Sequence, residues 1–264
     1  MLKLALEGSL SKLYRRSSPT LSAFDEINTY NDEIKQKRKD LEKEFKKCEK
    51  EFKLEKDKDK KALCKSQIQM LKKELTKCKE IVPLNLSEAP FTIPNSWAWV
   101  KLGDICEIVS GGTPSRDKIE YWHNGTIPWV KIADVKNNVV NQTQEFITEL
   151  GLENSSAKIF KKGTLLYTIF ATLGETAILN IDAATNQAIA ALIEAYDYDT
   201  KFLMYCLMSM KDYVNSLGRG VAQNNINQTM LKNFSIPLPP LCEQEHIVQT
   251  LDTLFTLKKG LRVD

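Results

Sequence analysis

Between Leu21 and Val82 the chain has neither a glycine nor a proline. These residues are the usual interruptions of a helix, glycine through backbone entropy and proline through its missing N–H. Apolar residues recur at Ile27, Tyr30, Ile34, Leu41, Phe45, Cys48 and Phe52, and again at Cys64, Ile68, Leu71, Leu75, Cys78 and Val82. Spacings of three and four mark helices with one apolar seam. The two series are out of phase, because Ile27 and Ile68 are 41 residues apart, one short of six heptads. Glu55 to Lys61 offers no apolar anchor. An antiparallel hairpin turning near Asp57–Asp59 fits this better than a single rod, although a stutter would also restore the phase. The segment reads either as a spacer or partner-binding arm or as a solvated coiled coil with no specific partner.

Three prolines, Pro83, Pro90 and Pro94, follow within twelve residues and predict an extended linker. Beyond it the texture is globular. "TIPWVKIADV", "GTLLYTIF", "ETAILNI" and "AIAALIEA" are short β-prone runs bounded by Gly, Asn and Asp. "DTKFLMYCLMSMKDYVNSL" predicts a helix capped by Asp199, with Phe202, Cys206, Met210, Tyr213 and Leu217 on one face. Asn227 caps a further short helix, "FSIPLPP" is a last strand, and a final helix carries Ile247, Leu251, Leu254 and Lys258 as a narrow seam. The fold class is α+β: one globular α/β domain plus a long helical, coiled-coil-like segment. Residues 1–20 form a helix tail, 21–82 the lysine-rich arm, 83–96 the linker, 97–238 the globular domain and 239–264 the start of another helix.

Several function classes find no support. "SGGTPSR" lacks the Lys-Ser/Thr of a phosphate loop, and "GETAIL" follows no G-x-G-x-x-G. Both read as turns that need positive φ. No G-x-S-x-G occurs, and the two histidines, His123 and His246, lack evident partners, His246 being expected at the surface. An Asn/Asp-Pro-Pro-aromatic loop that would hold a flipped base is absent. The six cysteines form no C-x-x-C pair and read as buried, reduced thiols, with no metal site. Mean hydropathy is −0.32 and no apolar run is long enough to cross a bilayer. The N-terminus lacks a signal-peptide core, so the expectation is a cytoplasmic chain with no membrane partner.

What remains is three polar loops. They offer Thr113, Ser115, Arg116 and Lys118; Lys136, Asn137 and Asn138 (with Asn141 and Gln142 beyond); and Arg219, Gln223, Asn224 and Asn225 (with Gln228). Asn and Gln present a donor and an acceptor together, which suits adenine edges, and Arg suits guanine edges and phosphates. Charge sets a limit. Residues 1–88 hold 22 Lys/Arg against 16 Asp/Glu, whereas residues 89–264 hold 15 against 18, a net −3. Phosphate contacts supply most non-specific affinity, so weak DNA binding by this half alone is expected.

Four blocks carry a resemblance: "FTIPNSWAWVKLGDICEIVSGGTPSR", "IPWVKIADV", "KKGTLLYTIFATLGETAILNIDAATNQAIAALI" and "IPLPPLCEQEHIVQTLD". In order, over about Phe91 to Leu254, they resemble the target-recognition domain of the specificity subunit of type I restriction–modification systems. "LKLALEGSL" resembles the tail of that family's conserved helix. The resemblance implies a non-catalytic reader of double-stranded DNA. Family members usually carry two recognition domains, each reading one half of a bipartite site, separated by two long helices paired as a coiled coil. The helices hold DNA adenine methyltransferase (modification) subunits, which bind S-adenosylmethionine. A separate ATP-driven restriction subunit translocates and cleaves. Cofactors, magnesium included, are thus expected on partner subunits and none on this chain.

This sequence departs from that plan. It has one recognition domain, the arm at 21–82 matches no block, and the last helix is short. The implied forms are a half-subunit that pairs as a homodimer on a palindromic bipartite site, a fragment, or one cassette of a shuffled locus. The alternative is an interaction protein with a degenerate recognition domain. Base-reading residues do not transfer by name, because recognition domains vary. Gly111, Gly112, Gly163, Gly174, Pro239, Pro240, Glu243 and Gln244 fall in matching blocks and read as fold determinants, as do Asn186 and Gln187 ahead of a role at DNA.

Overall fold

The computed structural model describes residues 1–17, 22–85, 87, 89–135, 137–218 and 225–260. The arm is two helices, α3 (Ala23–Leu54) and α4 (Lys58–Lys77), turning back between Leu54 and Lys58. No glycine is needed there. Glu55 and Asp57 take extended backbone, Glu55 Oε1 accepts from the N–H groups of Lys56 and Asp57, and Asp57 Oδ1 caps α4 by accepting from Asp59 and Lys60. The helices are antiparallel: Lys61 lies over Phe52 and Lys72 over Phe45. A capping box of Ser22 and Asp25 starts α3, a feature that contributes about 1 kcal/mol.

The arm is fastened to the body at its base. Ile27 is buried, and Asn31 clamps the chain beyond α4 by donating to Ile81 O at 2.9 Å and accepting from Ile81 N at 2.8 Å. Tyr30 donates to Ala195 O and packs edge-on against Tyr196.

The N-terminal segment departs from the expected helix tail. It is two short helices, α1 (Leu2–Leu6) and α2 (Lys12–Ser17), parted by Gly8 at φ +74°. A left-handed residue at this point cannot continue a helix.

The body begins with β1 (Ala98–Lys101), α5 (Leu102–Ile105) and β2 (Cys106–Ser110). β3 (Ile127–Val130), β4 (Val139–Val140), β5 (Glu145–Ile147), α6 (Glu149–Glu153) and β6 (Ile159–Phe160) follow. Then come β7 (Leu165–Thr168), β8 (Thr176–Leu179), β9 (Ala183–Thr185) and β10 (Ile189–Glu194). The chain closes with α7 (Thr200–Ser209), α8 (Lys211–Gly218), α9 (Gln228–Lys232), β11 (Ser235–Leu238) and α10 (Leu241–Gly260).

One sheet has the order β2-β10-β7-β8-β4, another β5-β3-β9-β6, and β1 pairs β11 as a ribbon. The apolar runs of β7 and β10 are covered on both faces. Side chains alternate across a strand. Leu165 and Tyr167 therefore join the helices in the main core, while Leu166 faces Val130, Phe160, Leu179 and Ile189 in a second core between the sheets.

Some expectations are corrected. The helix from Asp199 does not run on to Leu217. Met210 N donates to Leu207 O, three residues back, the chain tightens, and α8 restarts at Lys211. Tyr213 is consequently exposed. Among the cysteines, Cys48, Cys78, Cys106 and Cys206 are buried, but Cys242 is exposed and Cys64 partly so. His246 is half-buried, stacked on Tyr14 with ring centroids 4.3 Å apart. Gly174 has φ +81°, as a turn requires, but neither Gly111 nor Gly112 lies in the left-handed region. Space selects them instead: a Cβ on Gly111 would overlap Thr185 and Asn186 O, and one on Gly112 would overlap Ser156.

Candidate nucleic-acid interface

Strand register determines which loops meet. Ser110 at the end of β2 pairs Ala190 at the start of β10, and Thr168 at the end of β7 pairs Ile189. Thr176 at the start of β8 pairs Tyr167, and Val139 of β4 lies beside Ile178. In the other sheet Val130 and Thr185 pair at the ends of β3 and β9. The connections at 111–118, 131–135 with 137–138, 169–175 and 186–188 therefore share one end of the body. Asn225 joins them through a bridge to Phe170, and Gln228 donates to Ser110 Oγ at 2.7 Å. The arm is anchored at the opposite end, where Lys79 pairs with Asp104 and Tyr30 reaches Ala195.

The first loop is held by aromatics. The Arg116 guanidinium lies 3.6 Å above the Trp122 ring and 4.9 Å from the Trp129 ring, and bridges to Glu145 Oε2 at 2.7 Å. Trp122 Nε1 donates to Ser115 O and Trp129 Nε1 to Gly112 O, each at 3.0 Å. Lys131 reaches the other Glu145 oxygen at 2.6 Å. Burial alone would push the Glu145 carboxyl up, but the bonds from Lys131 and Arg116 outweigh it and hold the group below the usual carboxylate range. Thr113 donates to Gln187 Oε1. Lys118 donates to the Tyr121 hydroxyl at 3.0 Å.

Asn137 and Asn138 both have φ +63°, which asparagine tolerates better than most residues. Asn138 O accepts from Ile178 N, docking the loop to β8. Asn137 lies beside Thr172 and Glu175 of the neighbouring connection.

Of the eleven sequence candidates, Thr113, Ser115, Arg116, Lys118, Asn137, Asn138 and Asn225 fall in loops at this end. Lys136, Arg219, Gln223 and Asn224 lie outside the described residues. Asn141 does not join them, since it accepts from Asn180 beyond the far ends of β4 and β8. Asn186 Oδ1 accepts from Ala188 N, a turn role, whereas Gln187 is exposed beside Thr113. Sequence reasoning missed Glu145 and Trp122, which position Arg116, and Phe170, half of whose surface is open. Long-range pairing leaves no local pattern in the sequence for the first two. Phe170 reads locally as the end of a buried strand.

Among the described residues no group of three or more His, Cys, Asp or Glu is placed to hold a metal ion, and no helix is long and apolar enough to cross a membrane. The assembled groups suit hydrogen bonding and stacking against a polar surface.

Comparison with known proteins agrees with this picture. The family model described as type I restriction modification DNA specificity domain matches residues 94–263. The EcoR124I/EcoR124II specificity subunit of Escherichia coli is 30% identical over 169 residues, covering 62% of this chain and 42% of the relative. The MjaIX specificity subunit of Methanocaldococcus jannaschii is 33% identical over 175 residues, covering 63% and 40%. The chain thus spans about two fifths of the length of these relatives. In fold it is similar to the HsdS subunit from Thermoanaerobacter tengcongensis, with TM-score 0.53 at 22% identity, over 89% of this chain and 50% of that one. The chain belongs to the family of type I restriction–modification DNA specificity subunits.

Proposed function

We propose that this chain is a non-catalytic sequence reader that recognises one half of a bipartite site in double-stranded DNA. The family match over residues 94–263 carries this reading, because it contains every loop gathered at one end of the body. Thr113, Gln187, Asn137, Asn138, Asn225 and Gln228 supply paired donors and acceptors there, the groups that distinguish base edges in the major groove. Arg116, stacked and ion-paired, is held ready for a guanine edge or a phosphate.

The helices serve as the docking surface for adenine methyltransferase subunits in this reading, with a restriction subunit joining the same complex in the cytoplasm. S-adenosylmethionine, ATP and magnesium belong to those partners. The negative balance of residues 89–264 makes partner subunits the main source of phosphate affinity. A homodimer would present two identical loop ends and so read a palindromic bipartite site.

Mapping adenine methylation across the source genome, with and without this gene, tests the proposal. Loss of one bipartite motif on deletion is the expected result, palindromic if two copies pair. An unchanged methylation map would refute it.

A further inference from the structure

Resting on the reading of this chain as a DNA specificity subunit, we propose that Phe170 is an aromatic wedge that stacks against a base step of the recognised duplex. Phe170 sits in the β7–β8 connection, at the end of the body where the polar loops meet, and its side chain is 49% exposed. Single exposed apolar residues are common on protein surfaces. This one differs in how its backbone is held.

On one side Ile169 N donates to Ala188 O and Ile226 N donates to Ile169 O, both at 2.9 Å, and Phe170 itself bridges Asn225. On the other side Ala171 is held at φ +60°, a conformation that a residue with a Cβ avoids. The Thr168 hydroxyl donates to Thr172 O and accepts from Glu175 N, and Gly174 N donates to Thr168 O. The connection is thus closed from within and tied to two neighbouring segments. A strained residue persists where its surroundings over-determine it, and such positions cluster at functional sites. What the strain accomplishes here is to hold a ring in solvent among hydrogen-bonding loops.

A ring in that position has a use at a duplex. In proteins that enter the minor groove, apolar side chains inserted between base steps partly unstack them and bend the duplex, so that it wraps more protein surface. Phe170 would act from that side while the polar loops read the neighbouring groove. Base–aromatic stacking, known best from single strands, is tolerant of sequence because every base has a π-face. Phe170 would therefore add affinity and deformation, while Thr113, Gln187 and the asparagines discriminate among bases.

The test uses the full chain co-purified with the modification subunit of its own locus. The probe is a duplex carrying the motif found by methylation mapping, with 2-aminopurine placed at successive positions. The wild-type complex should brighten the probe at one step. Phe170→Ala should abolish that signal and weaken binding about ten-fold, with an unchanged unfolding midpoint, while Phe170→Trp should retain both signal and affinity. A Phe170→Ala complex with full signal and full affinity overturns the proposal. So does one that loses the modification subunit, which would place Phe170 at a protein interface. A wild-type complex that prefers no motif overturns the specificity-subunit reading as well, an outcome distinct from the first.

Discussion

The Arg15 guanidinium of α2 donates to the Glu243 carboxylate of α10 across 228 residues of chain. Glu243 is fully buried, and its second oxygen accepts from Trp97 Nε1 at 2.9 Å. Arg15 also donates to Ser11 Oγ and to Gly8 O and lies over the Trp97 ring. This one cluster ties the N-terminal helices, the start of the body and the last helix together. Removing one partner of a buried pair leaves the other charge uncompensated, at a cost of about 3–5 kcal/mol. Arg15→Met should therefore lower the urea midpoint sharply. Adding Glu243→Gln to it should cost less than the two single losses summed, because the stranded charge is gone. Simple additivity in this double-mutant cycle would remove the pair from the account.

Two glycines should respond to substitution in opposite ways. Gly163 has φ +92° and no atom within 4 Å of the position a Cβ would take, so its constraint is the backbone alone. Gly163→Ala should cost about 1 kcal/mol, and Gly163→Asn less, since asparagine tolerates the left-handed region. Gly111 is bounded by Thr185 and Asn186. Gly111→Ala should cost about 1–3 kcal/mol through overpacking, and Gly111→Asn more. Thermal unfolding of the four variants checks the reversal. The same ranking at both sites would contradict it.

Acid should loosen the cluster around Arg116. Despite burial, which acts the other way, Lys131 and Arg116 hold the Glu145 carboxyl below its ordinary value of 4.5. A carboxyl with a depressed folded pKa contributes stability above its unfolded pKa and loses it as pH falls through the folded one. Burial pushes the Asp252 carboxyl up, but the bonds from Lys201 and Tyr205 outweigh it and bring it below 3.8. Wild-type stability should thus decline as pH falls below these ordinary values and on through the lower folded ones. Glu145→Gln should be less stable than wild type near neutrality and show a shallower decline. Parallel pH profiles for the two proteins would show that Glu145 makes no such contribution.

Local chemistry made much of this fold legible in the sequence. The Asp199 and Asn227 caps, the Pro-Pro end of β11 and the out-of-phase seams of the arm each act within a few residues, and each is found in the structure. Contacts distant in sequence were not legible. Glu243 reads as a favourable charge at a helix N-terminus, yet its partners are Arg15 and Trp97. Gln244 reads as a fold determinant, but its partners were hidden: it accepts from Asp199 N and donates to Pro239 O. Gly111 and Gly112 read as turn glycines because the residues that crowd them, Thr185 and Ser156, lie far off in the sequence. The same limit applies to the candidate interface. Its polar loops were visible as composition, but their convergence depends on the register of strands far apart in the chain.

Asn137 and Asn138 allow side chain and backbone to be separated. Both residues adopt φ +63°, so alanine at either would strain the loop and obscure any loss at DNA. Glycine takes this conformation freely. Asn137→Gly and Asn138→Gly should therefore keep the loop docked through the Asn138 O bond to Ile178 N and leave the unfolding free energy within about 0.5 kcal/mol of wild type. If the side chains read bases, each glycine variant loses a donor–acceptor pair worth about 1–3 kcal/mol of discrimination. Methylation at the motif should then fall, with new methylation at sites differing at one base pair. The readout is genome-wide methylation in cells carrying each variant. Full methylation of an unaltered motif by both variants would assign these asparagines to the backbone conformation and leave base reading to the loops around Thr113 and Asn225.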